Sequence, residues 1–365
     1  RSADRSEAVC HLGEVSVAIP AIRRGGDLKP IESGAILSKK DLESRIWNAG
    51  HTPFCDKKRF ELAVKNKDDR YVKFCKGKYV DDPNETFMER VRGTLGNSDN
   101  NSSGHAIVYI HGFNVKFRDA AMRAGQLKYD MRFDGPVMLY SWPANGNTTD
   151  YLTDQVDGDL SVDGLVRFLR LAHKAATCTK TDKKGKCIDN GTKVHIIAHS
   201  MGARVTSQAL ARLSTSNEAI KFGEVIFASG DVDSSLFEKW VGSSLTNVDG
   251  VTIYTSRYDG AVQTSYWLRS LNVLGLIKST EHKQRIGVYN VGDEPFVFEP
   301  EANDQKLPIH TIDMSALSFA DFFWVFNAND YLVKNHAIYA LNYQVTDDML
   351  HVMCSSTKLN PEQRG

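Results

Sequence analysis

From residue 106 onward, short apolar runs alternate with stretches of helical periodicity. AIVYIHG (106–112), PVMLYSW (136–142), KVHIIAHS (193–200), EVIFASG (224–230) and VTIYTS (251–256) read as buried strands. Between them, RDAAMRAGQLKYDMR (118–132) places Ala121, Ala124, Leu127 and Met131 on one face. SVDGLVRFLRLAHKAA (161–176) does the same with Leu165, Phe168, Leu169 and Ala172, and ARVTSQALARL (203–213) reads as a further helix. HTIDM (310–314) reads as a short strand, with VYNV (288–291) as another candidate. Strands alternating with helices predict an α/β fold, a doubly wound and mostly parallel sheet with helices on both faces.

Residues 1–100 carry a different texture. GEVSVAIPAI (13–22), RFELAVKN (59–66) and RYVKFCKGKYV (70–80) alternate as strands do, and GTLGNSDNNSSGH (93–105) is a polar loop. The expected organisation is a β-rich extension over 1–100, packed on a catalytic domain over 101–365.

Composition adds limits. Hydrophobic residues make up 41% and charged residues 25%, which is ordinary for a globular protein. Lys plus Arg and Asp plus Glu are 45 each, so the broad basic surplus of a nucleic-acid binder is missing. No apolar run is long enough for a membrane helix. The chain begins at Arg1 rather than methionine, which fits a leader already removed. The six cysteines form no CxxC and no zinc-like cluster with histidine, so no metal or cofactor is expected. Cys178 and Cys187 bracket a lysine-rich segment and Cys55 and Cys75 another charged one. With Cys10 and Cys354 left over, the expected pairs are 178–187, 55–75 and 10–354, one pairing among the many open to six cysteines. Disulfides imply a periplasmic or secreted protein.

Function in a doubly wound sheet gathers at the carboxyl ends of its strands. There Ala198-His199-Ser200-Met201-Gly202 closes one strand and opens a helix. Small residues two positions either side of a serine fit a nucleophile elbow, whose sharp turn leaves no room for larger neighbours and lifts the hydroxyl clear. The amide of Met201 then faces a developing oxyanion. His111-Gly112-Phe113-Asn114 ends the first central strand, and the amide of Phe113 is the second candidate donor. A triad in chain order Ser, acid, His takes Asp259 as its acid, with Asp231 as runner-up and Asp233 and Asp249 as further competitors. His336, in KNHAIY, is the candidate base, with His310 the alternative. His111, Gly112, Asn114, Trp142 and His199 stand beside the site as candidate substrate-binding or loop-supporting residues. SYWLRSLNVLGLI (265–277), with Trp267, and SFADFFWVFN (318–327), with Phe323, are apolar segments suited to lining an acyl site or to core packing.

These motifs together resemble a bacterial family of α/β-hydrolases of unassigned function within the esterase/lipase superfamily. IVYIHGFNVKFRDAAMRAGQL, LYSWPANGNTTDYLTDQ, VHIIAHSMGARV, ASGDVDSSLFEK and IYTSRYDGAVQTS carry the resemblance over roughly 106–345, with VSVAIPAIRRGGDL as a leading strand. The resemblance implies Ser200 as nucleophile, Asp259 of SRYD as acid and His336 as base. The family's GHxYF-like loop departs here to NHAIY. It also implies that Ser141-Trp142-Pro143 packs near the site floor. The expected function is hydrolysis of a small-molecule or lipid-like carboxylic ester through an acyl-enzyme. The alternatives are an inactive binding or envelope protein on the same scaffold, or an acyltransferase or amidase using the same triad.

Overall fold

The computed structural model describes residues 11–19, 48–96, 104–145, 150–181, 183, 187–216, 218–270, 284–290, 292–300, 307–317 and 335–355. Among the described residues, six strands form one parallel sheet, β3 (His105–Ile110), β4 (Val137–Tyr140), β7 (Lys193–His199), β8 (Phe222–Ala228), β9 (Val248–Thr255) and β10 (Ile309–Asp313), while the short strands β5 (Cys178–Thr181) and β6 (Cys187–Asp189) pair apart from it. The order in the parallel sheet is β10-β9-β8-β7-β3-β4. The interior strands β3, β7, β8 and β9 are buried along almost their whole length, as a parallel sheet covered on both faces requires. Edge strand β4 alternates buried and half-buried positions.

Side-chain alternation splits the core into two layers. Val108, Ile110, Ile196 and Ala198 face one cluster, which holds Leu165, Leu169, Val205 and Leu210. These come from helices Tyr151–Thr177 (α5) and Met201–Ser214 (α6). Ile107, Tyr109 and Ile197 face the other cluster with Leu127, Met131 and Met349. Helices Phe117–Asp130 (α4) and Tyr343–Cys354 (α10) supply Leu127 and Met349. The sheet is thus doubly wound, as expected. The chain runs outward from β3 to β4 and then returns to β7 on the other side of β3. β3 and β7 are therefore neighbours at the topological switch point, where such sheets open a crevice.

The N-terminal region meets expectation in its β pair and departs from it further along. Strands Gly13–Ala18 (β1) and Asn48–Pro53 (β2) form an antiparallel pair. The stretches expected as strands at 59–66 and 70–80 are instead helical, as Lys57–Lys65 (α1) and Asp69–Cys75 (α2). The alternation of Phe60, Leu62 and Val64 suggested a strand, yet Leu62 and Val64 are exposed. The start signals decide: Asp56 accepts from the amide of Arg59 and Asp68 from that of Tyr71, each capping a helix. A third helix, Pro83–Gly96 (α3), sends Phe87, Met88 and Val91 into the same core as β3. The candidate strand at 288–291 is irregular over its described residues.

Cys55 and Cys75 are joined, as expected, and fasten α2 beside β2. Cys178 is also disulfide-bonded, and the side chain of its expected partner, Cys187, lies outside the described ones. The expected 10–354 pair is contradicted, because Cys354 is a free thiol on α10. Burial pushes that thiol up to about 11, which keeps it protonated. Among the described residues, no helix is long and apolar enough to cross a membrane. No group of three or more His, Cys, Asp or Glu among them is arranged to hold a metal ion.

Candidate active site

The site is built where β3 and β7 end side by side. Ser200 follows β7 with φ +53° and ψ −125°, a backbone conformation that costs a non-glycine residue strain. Neighbouring chain holds it there: the Ser200 amide donates to the Ala228 carbonyl at 3.0 Å, and the Ser200 carbonyl accepts from the Asp231 amide at 3.0 Å. The small-residue rule has a direct cause. A Cβ on Gly202 would stand 2.6 Å from the His111 carbonyl oxygen and 2.8 Å from that of Ile110. A Cβ on Gly112 would stand 2.7 Å from the Ser200 Cβ. The glycine of HGFN therefore lies directly on the serine, and Ser200 as a residue is only 4% exposed. The helix that starts at Met201 turns its positive end toward this point.

The loop after β3 is fixed by its neighbours. His111 is fully buried and stacks on Trp142 at 5.2 Å and 13°. The Trp142 indole donates to the His111 carbonyl at 2.8 Å, and His111 Nε2 meets Ser141 Oγ at 3.1 Å. Burial drives the His111 imidazole down to about 4, against smaller opposing effects of backbone contacts, so it is neutral near pH 7. Asn114 takes a left-handed backbone, φ +59°. Asp154, buried on the first turn of α5, accepts from the amides of Asn114 at 3.4 Å and Asn145 at 2.8 Å. One carboxylate thus ties the HGFN loop to the SWPAN loop. Burial raises its pKa, and the two amides oppose that rise.

The candidate acid and the candidate base lie side by side. His336 Nδ1 lies 2.9 Å and 3.0 Å from the two carboxylate oxygens of Asp259. Asp259 is fully buried, whereas the His336 side chain is 17% exposed. Burial alone would lower the imidazole pKa. The charge and hydrogen bond of Asp259, with a further contribution from Asp231, outweigh it and hold His336 above its ordinary value. His199, the residue before Ser200, has its Nε2 3.2 Å from the His336 carbonyl oxygen.

The competing residues have other work. Asp233 caps helix Ser234–Gly242 (α7) through the amides of Ser235 and Leu236. Asp249 pairs with Lys193 and Lys221 at the far end of the sheet. His310 belongs to β10 itself. Asp231 accepts from Tyr151 Oη at 2.7 Å and Ser265 Oγ at 2.7 Å, with Arg285 Nε at 3.5 Å. Asp231 and Arg285 are each 3% exposed, a buried ion pair. Tyr151 also meets Phe113 edge-on at 5.3 Å. Tyr151, Asp154 and Arg285 escaped the sequence reading; Asp154 and Tyr151 lie ten residues and less before the point where α5 was expected to begin. The side chain of Trp267, in helix Gly260–Ser270 (α8), and Phe323 lie outside the described residues.

No curated protein matches the chain. Among solved structures, it is similar to a dienelactone hydrolase from Anabaena variabilis, at 12% identity over 65% of this chain and 83% of that one, with a TM-score of 0.31. It is likewise similar to a lipase-esterase related protein from Clostridium acetobutylicum, at 10% identity over 70% of this chain and 96% of that one, also with a TM-score of 0.31. Residues 90–293 match the family described as "Alpha/beta hydrolase of unknown function (DUF900)". With the doubly wound sheet and its switch-point serine, that match over more than half of the sequence places the chain in this α/β-hydrolase family.

Proposed function

We propose that the protein is a serine hydrolase acting on carboxylic esters, with Ser200, His336 and Asp259 as its triad. The observation that carries this reading is the strained, glycine-covered Ser200 at the switch point, joined through His199 to a histidine whose Nδ1 is already held by a buried carboxylate. Ser200 Oγ attacks the ester carbonyl while His336 Nε2 takes its proton. The oxyanion is met by the amides of Phe113 and Met201, each donor being worth about 3 kcal/mol in such sites. His336 returns the proton to the departing alcohol. Water then repeats the sequence on the acyl-enzyme, releasing the acid and restoring Ser200. Asp259 keeps the Nδ1 proton in place and stabilises the imidazolium.

His111, Gly112, Asn114 and Trp142 shape the floor and the donor loop in this reading. Residues 1–100 serve as an extension buttressing a catalytic domain over 101–365, supported by Phe87 and Met88 in the shared core. The Cys55–Cys75 disulfide favours a periplasmic or secreted location. The substrate is a small-molecule or lipid-like ester.

The test is hydrolysis of p-nitrophenyl esters from acetyl to long acyl chains by wild type and Ser200→Ala, with fluorophosphonate labelling in parallel. Labelling at Ser200 and a loss of about 10⁴-fold or more in the variant are expected. A wild type that neither turns over any ester nor takes the label would favour a binding role on a hydrolase scaffold.

A further inference from the structure

His199 ends β7 directly before Ser200 and is almost wholly buried, at 8% exposure. Its Nε2 faces the His336 carbonyl oxygen, which can only accept, so Nε2 carries the ring proton. Nδ1 is then a bare lone pair. It lies on the side of Gly112, where an added Cβ would stand 3.1 Å away. The ring packs against the His336 imidazole at 4.5 Å and against Tyr339 at 4.5 Å and 28°. Tyr339 Oη is in turn hydrogen-bonded to Tyr109 Oη of β3 at 2.9 Å. A continuous run of rings therefore leads from the sheet to the base: Tyr109, Tyr339, His199, His336.

Resting on the triad reading above, we propose that His199 is a positioning residue, whose Nε2–H holds the main chain of His336 and whose ring face holds the His336 imidazole. Asp259 fixes one nitrogen of His336, whose single N–H is shared between the two carboxylate oxygens, and this leaves the ring free to rock about that nitrogen. His199 removes this freedom from the side on which Ser200 lies. The arrangement requires a neighbour that stays neutral while His336 becomes charged. Burial first, then the charge of a protonated His336, press His199 well below its ordinary pKa, against a smaller opposing effect of the His336 carbonyl, and Arg123 adds to the lowering. The two adjacent imidazoles are thus driven in opposite directions, one toward the charged form and one away from it. Of the two roles the sequence suggested for His199, substrate contact and loop support, contact with the base takes the place of the first.

The experiment compares His199→Phe and His199→Gln in the full chain. Phenylalanine keeps a flat ring without the donor. Glutamine sets an amide N–H close to the place of Nε2. The readouts are kcat, KM, the pH profile of kcat/KM and the rate of fluorophosphonate labelling of Ser200, with melting curves as the folding control. For His199→Phe, a fall in kcat of about tenfold or more, with KM changed by less than about twofold, is expected from a base displaced by a fraction of an ångström. Labelling should slow in parallel, and the acid limb should move to lower pH as His336 loosens from Asp259. Glutamine should recover most of the lost rate. An unchanged kcat with a raised KM would overturn the proposal in favour of substrate contact. Failure of both variants to fold would overturn it in favour of a plain core role. A wild type unlabelled at Ser200 defeats the triad reading itself, whereas equal labelling of wild type and His199→Phe defeats only the role of His199.

Discussion

The two ends of the parallel sheet hold similar side chains and use them in opposite ways. At the amino end, His105 Nδ1 meets His195 Nε2 at 2.9 Å, and His195 Nδ1 accepts from the Glu224 amide at 2.9 Å. Thr252 Oγ1 donates to Glu224 at 2.6 Å. The groups form a ladder across β3, β7, β8 and β9, each satisfying the next on regular strand backbone. The carboxyl end also buries histidines and carboxylates, namely His111, His199, His336, Asp231 and Asp259. There the backbone leaves its favoured regions at Asn114, Ser200 and Ser229, all with positive φ. Buried titratable groups therefore do not by themselves mark a site. Local strain, with glycine pressed against the proposed nucleophile, separates the end that holds the candidate site from the merely polar one.

The largest expected effect breaks the comparison at its most chemical point. In Asp259→Asn the Nδ1 partner no longer stabilises an imidazolium, and kcat should fall by about 10⁴-fold. The sign of the pH effect follows from the opposing influences on His336. Burial lowers its pKa and Asp259 raises it above the ordinary value; with Asp259 gone, burial remains. The acid limb of kcat/KM should therefore begin above pH 6.5 in wild type and shift to lower pH in the variant. A limb that stays in place would detach His336 from the reaction. Glu224→Gln, the matching loss of a buried carboxylate at the amino end, should leave kcat within about twofold.

The second effect is steric and sharpens the contrast. Gly112→Ala puts a Cβ 2.7 Å from the Ser200 Cβ, and Gly223→Ala puts one 2.6 Å from the His195 ring. Both overpack the structure, at a cost of about 1–3 kcal/mol each. Only the first should reach the chemistry, where displacement of the serine or the donor loop costs on the order of 10²-fold in kcat. Urea midpoints and kcat for the two variants check this. Equal losses of kcat would mean that the elbow responds to global destabilisation and not to local crowding.

Much of the carboxyl end was legible in the sequence because the geometry there admits few residue types. Gly112 and Gly202 are bare where a Cβ would strike Ser200 or the carbonyls of Ile110 and His111, and Asp259 and His336 follow Ser200 in the order a triad would need. The first ten residues of α5 were not legible because their polarity is inverted. Leu152, Val156 and Leu160 are exposed, while Asp154 and Asp157 are buried. A periodicity search that takes apolar residues as inward misreads such a turn. Asp154 faces inward because two loop amides need an acceptor, a requirement that exists only once the HGFN and SWPAN loops are side by side. Arg285 is hidden for a related reason: its Asp231 partner lies far away in the chain, and neither belongs to a periodic element. In the N-terminal region, the caps Asp56 and Asp68 outweighed the alternation that had suggested strands.

The smallest effect belongs to the rim of the amino end. Asp249 bridges Lys193 Nζ at 2.6 Å and Lys221 Nζ at 2.9 Å, with its side chain 23% exposed. Burial would raise its carboxyl pKa, but the two lysines together hold it below the ordinary value. A carboxylate held low stabilises the fold above its unfolded pKa and loses that contribution as the pH falls through the folded one. Both lysines are half-exposed, so solvent and salt screen the arrangement, and each pair contributes about 1 kcal/mol or less. Asp249→Asn should therefore lower the urea midpoint slightly at pH 7, and the gap should close as the pH falls below the ordinary carboxylate range and the wild-type carboxyl loses its charge. Raising the ionic strength should narrow the gap at pH 7, since the screening length shrinks to about 3 Å at 1 M salt. Ester turnover should not change, because this ion-pair cluster lies at the opposite end of β9 from Asp259. A loss of kcat in this variant would show that the two ends of the sheet are coupled, and would end the division of labour drawn between them.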